Sequence, residues 1–69
     1  MSPIQAELAE NTKTIREGLT KAQMLRYYSE ALGSSVNNRM RRSRKGYLAA
    51  CIAEGVQFHG WPMPAKVVR

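Results

Sequence analysis

The sequence predicts a small all-α domain, with helices over about 3–17, 20–32 and 35–54 and an irregular C-terminal tail, 55–69, packed across them. Three observations carry this expectation. Two capping boxes, Ser2 with Gln5 and Thr20 with Gln23, each precede an apolar residue pattern of helical period. Glycines at 18, 33 and 55 stand where those patterns stop. All five acidic residues are Glu and none is Asp, a choice that favours helix over turn.

In the first segment Ser2 caps, Pro3 suits the first helical position, and Ile4, Leu8 and Ile15 keep the period up to Gly18. In the second, Met24, Leu25, Tyr28 and Leu32 fall on one face, and Gly33 closes it. Tyr27 points more outward. Ser34 or Ser35 is the expected cap of the third. Val36, Met40, Tyr47 and Cys51 lie within about 60° of one another on a helical wheel. Gly46 is the weak point, costing about 1 kcal/mol against Ala in a helix interior. One helix over 35–54 therefore competes with a break near Arg42–Gly46, which would leave a short helix, a basic loop and a final helix Gly46–Ala53. Gly55 is the expected stop in either case. Beyond it, Gly60, Pro62 and Pro64 forbid a long helix. Phe58 and Trp61 are too apolar for a free tail and are expected to fold back, while Val67–Val68 suit a brief extended piece.

With 69 residues the chain forms a single domain, 1–69, with a thin core. Its apolar content, 43%, suits a small core rather than a disordered tail. One Cys excludes an internal disulfide, and one Cys with one His excludes a zinc site built by this chain alone. The longest apolar run is Tyr47–Ala53, too short to span a bilayer. No basic region followed by an apolar stretch opens the chain, so no secretory signal is read and a cytoplasmic, reduced setting is the expectation.

Net charge is +6, and its distribution matters more than its size. Four bases and four acids balance over residues 1–35. The whole surplus lies in the second half, where Arg39, Arg41, Arg42, Arg44 and Lys45 form a block and Glu54 is the lone acid. Such a block either solubilises a helix face or contacts phosphate. Arg supplies a planar fork that binds phosphate through two bonds and stacks on bases, so four Arg in six residues suit recognition better than bulk solubility. Aromatic side chains beside such a patch serve base stacking. Tyr27 is the expected free aromatic, Tyr47 is expected in the core, and Trp61 reads as a lid on that core.

Catalytic chemistry is not legible. Without Asp and with His59 alone, no Ser-His-Asp triad can be assembled. There is no phosphate-binding loop or dinucleotide fingerprint. Cys51 reads as a small core residue, not a nucleophile. The expectation is a non-enzyme that needs neither metal nor cofactor.

The stretch Tyr47-Leu48-Ala49-Ala50, Glu54-Gly55, Phe58-His59-Gly60-Trp61-Pro62 and Val67 resembles the C-terminal part of the ProQ/FinO RNA-chaperone domain. The likeness covers under a third of the 69 residues. His59 stands where that family carries Asp, and the family's strand Arg is missing. The segments Leu25–Gly33, Asn38–Lys45 and Gly46–Ala53 are similar to SAP and Rho N-terminal helix-extension-helix modules. Both resemblances imply nucleic acid as partner. Helix 2, Gly33 and a basic helix 3 also match a helix-turn-helix in outline.

The leading expectation is a nucleic-acid-binding protein, RNA ahead of DNA, that acts through phosphate contacts of Arg39, Arg41, Arg42, Arg44 and Lys45 with Tyr27 beside them. The rival is a phage- or plasmid-type inhibitor or adaptor. It would dock its basic face on an acidic host protein, with Trp61, Phe58 and Met63 as apolar anchors. An exposed Trp61 would favour that rival. Helix 1, poor in apolar residues, would suit pairing in a homodimer. No membrane contact is expected.

Overall fold

The computed structural model describes residues 2–64 and places four helices among them, with no strand. The fold is all-α. Helix α1 spans Pro3–Gly18, α2 Lys21–Leu32, α3 Asn38–Arg41 and α4 Lys45–Phe58. Val67–Val68 lie outside the described residues.

Both capping boxes form. Ser2 Oγ accepts from Gln5 N–H at 3.2 Å and Thr20 Oγ1 from Gln23 N–H at 3.2 Å. Each glutamine side chain returns a bond to the backbone N–H of its cap. Orphan donors at two helix starts are thereby satisfied. Gly33 closes α2 in the left-handed conformation, at φ 72°. Its N–H and that of Ser34 donate back to Ser29 O, a turn that Gly adopts without a Cβ clash.

Helix α4 is the central element and packs against both α1 and α2. It buries Leu48, Ala49, Ile52, Ala53 and Gly55. Ile15, Leu19 and Met24 complete the core from the other elements. Burial on two sides explains why α4 carries one acid in fourteen residues and little polar face. At its far end Gln57 Nε2 donates to Ile4 O at 3.0 Å, joining the end of α4 to the start of α1.

Several expectations are corrected. The single helix over 35–54 does not form; the break does. Like charges three and four apart, such as Arg41 with Arg44 and Lys45, repel along a continuous helix. Ser43 offers the backbone an alternative, since its hydroxyl donates to Arg39 O at 2.9 Å and its N–H to Met40 O. Asn37, rather than Ser34 or Ser35, caps α3, accepting from Met40 N–H at 2.9 Å. Val36 is buried, but in the connector before α3.

Gly55 does not stop α4, which continues to Phe58. The left-handed turn falls at Gly60, φ 73°. Trp61 N–H then donates back to Gly55 O at 3.1 Å. Phe58 therefore belongs to the helix and stands exposed instead of folding back. Ile4, Leu32 and Tyr47, expected on apolar faces, are also exposed. The break after α3 uncouples the stripe that linked Val36 and Met40 to Tyr47. On α4 the core-facing arc is set by Leu48 and Ile52, about 100° from Tyr47 at the helical rotation per residue.

Candidate nucleic-acid interface

The five basic residues of the block occupy a kink, not a helix face. Arg39 and Arg41 sit on the single turn of α3, Arg42 ends it, Arg44 is the N-cap of α4, and Lys45 opens α4. All five are exposed. The charges are thus distributed over a turn and two helix ends on either side of the break.

Among the described residues none of the five is paired with a carboxylate. Among the described residues the one ion pair is Arg26 with Glu30, at 3.4 Å and largely exposed, a contact of little energetic consequence. No acid occurs between Glu30 and Glu54. The start of α4 adds to the positive potential. Ser2, Thr20 and Asn37 cap their helices through side chains, whereas Arg44 gives α4 no side-chain cap bond. The first-turn N–H groups of α4 thus remain without a side-chain acceptor beside three basic side chains.

Two residues from the balanced first half extend this region. Lys13 and Arg16 of α1 line a surface groove that reaches Gly46 and Ala50 of α4. Glu17 lines it as well. Charge pattern alone cannot bring these residues near the block, because their placement depends on how α1 lies along α4. On another side, Arg41 and Arg26 line a groove with Ser29, Ser35 and Val36.

The aromatic assignments exchange places. Tyr27 is not the free aromatic: its hydroxyl donates to Pro62 O, and its ring meets the Trp61 ring edge-on at 6.4 Å. Burial raises its pKa. Tyr47 is the free one, 52% exposed. Together with Arg39, Met40, Ser43 and Arg44 it lines a small surface depression at the break.

Trp61 is a lid. It covers Gly55 and meets Tyr28 at 5.7 Å in an edge contact. Met63 packs partly buried against the core. Of the three residues expected as protein anchors, Phe58 alone is exposed, at 56%.

The remaining chemistry is quiet. Cys51 is half-buried, and burial raises its thiol pKa while the Tyr47 hydroxyl partly offsets that by hydrogen bonding. Such a thiol is a poor nucleophile at neutral pH. Among the described residues no three His, Cys, Asp or Glu gather as metal ligands. No helix there is long and apolar enough to cross a membrane. The α3 turn is too short to act as a groove-reading helix, so the helix-turn-helix outline does not hold. Comparison with protein-family models, curated proteins and solved structures gives no match.

Proposed function

We propose that this chain binds nucleic acid through the kink between α3 and α4, with RNA ahead of DNA. The observation that carries the proposal is the set of five exposed cations, Arg39, Arg41, Arg42, Arg44 and Lys45, with no carboxylate paired to any of them among the described residues. Unpaired guanidinium groups are suited to phosphate oxygens, and releasing the counterions condensed on a nucleic acid drives association. Phosphate contacts fix position without reading sequence, so broad rather than sequence-specific binding is expected. No catalytic step is proposed.

The test is the double variant Arg41→Glu/Arg42→Glu. Both side chains are exposed, so the helical circular dichroism should be unchanged while nucleic-acid binding near physiological salt is lost. Full binding by the folded variant would remove these residues from the interface.

A second reading, docking on an acidic protein surface, uses the same cations. Exposed Phe58 and Ile4 favour it, placed at one end of the molecule by the Gln57–Ile4 bond. It is weaker than the first because Trp61 and Met63 are engaged within the fold.

A further inference from the structure

We infer that Tyr47 is a stacking platform for an unpaired base, which makes the ligand of this site single-stranded rather than duplex. The inference rests on the nucleic-acid reading and sharpens it. Tyr47 lies in the first turn of α4, three residues after Arg44, so the two share one side of that turn. Arg39 and Ser43 approach the same depression from α3 and its terminal turn. An exposed phenol ring is thus bordered by two guanidinium-bearing residues and a hydroxyl.

That combination matches a nucleotide whose base is free of a partner. The base lays its flat face on the phenol, and the phosphates on either side of it come within reach of Arg39 and Arg44. Stacking of this kind tolerates any sequence, since every base has a π face. A paired base keeps its faces inside the duplex stack and cannot use the ring. Tyr47 carries no core packing comparable to that of Leu48 or Ile52, both fully buried. The core therefore does not require an aromatic ring at this position. The one acid of α4, Glu54, lies two turns further along, beyond Cys51, and does not line the depression.

The experiment compares Tyr47→Ala and Tyr47→Trp with the unaltered chain. Fluorescence anisotropy is read with a labelled single-stranded RNA, the DNA strand of the same sequence, and the corresponding duplexes. Tyr47→Ala should weaken single-strand binding about tenfold. Duplex binding and the salt slope should be unchanged, and Tyr47→Trp should match or exceed the unaltered chain. Loss on the RNA strand alone adds contact with the sugar; loss on both strands indicates stacking only; either supports the inference. Tyr47→Ala binding single strands as tightly as the unaltered chain would overturn stacking while leaving phosphate binding intact. Equal loss on strand and duplex would overturn it too. If the unaltered chain binds none of the probes, the nucleic-acid reading itself falls, and the inference with it.

Discussion

The Trp61 ring lies directly on the backbone of Gly55, so close that a Cβ at position 55 would meet ring atoms at under 3.0 Å. One hydrogen bond, Trp61 N–H to Gly55 O, holds the same two residues together. The pair fastens the segment after α4 to that helix, and Tyr27 and Tyr28 close around the ring.

Gly55→Ala should therefore destabilise the domain. In an unobstructed helix interior the change adds about 1 kcal/mol of stability. Here overpacking should cost about 1–3 kcal/mol, and displaced Trp61 should emit at longer wavelength. Gly46→Ala is the control, since no atom lies within 4 Å of a Cβ built there. It should be neutral or stabilising by up to about 1 kcal/mol. Thermal melts of the two variants decide this, and a Gly55→Ala protein as stable as the parent would disprove the contact.

Thr20→Ala removes the side-chain acceptor for Gln23 N–H. The expected loss is about 1 kcal/mol, a fall in Tm of roughly 4–8 °C for a domain of this size. Thr20→Asn should retain most of the stability. Thermal denaturation followed by circular dichroism reads both.

Stability should fall in alkaline solution. Burial holds the Tyr27 and Tyr28 hydroxyls above their ordinary 10.0, and the Cys51 thiol above its ordinary 9.0. The unfolded chain releases these protons at lower pH than the folded one. Their contribution is thus fully present below the ordinary values and is lost as pH rises through the raised ones. Denaturant midpoints measured at rising pH should decline from about pH 9 upward.

Much of the scaffold was legible because its signals are local. Ser2, Thr20 and Gly33 act through residues within one helical turn, and the choice of Glu over Asp already favoured helix. The basic block was legible as charge. What eluded sequence reasoning depends on choices between competing local signals or on tertiary packing. Gly55 was the expected stop, but it is a contact surface for Trp61, and the left-handed turn falls at Gly60. Helical periodicity put Tyr27 on the surface and Tyr47 in the core, the reverse of what the fold does. The kink at Arg42–Arg44 turned Tyr47 outward, while Trp61 and Pro62 engaged Tyr27. The approach of Lys13 and Arg16 to Gly46 arises only when α1 lies along α4.

The central claim is that the kink between α3 and α4 neutralises phosphates, and a salt series tests it most directly. Affinity for a labelled single-stranded RNA should be micromolar or tighter near physiological salt. On a logarithmic plot against salt it should fall with a slope of about −2.8 to −3.5, the value for four or five phosphates on a single strand. No binding near physiological salt, or a slope near zero, would contradict the claim and turn attention to an acidic protein partner.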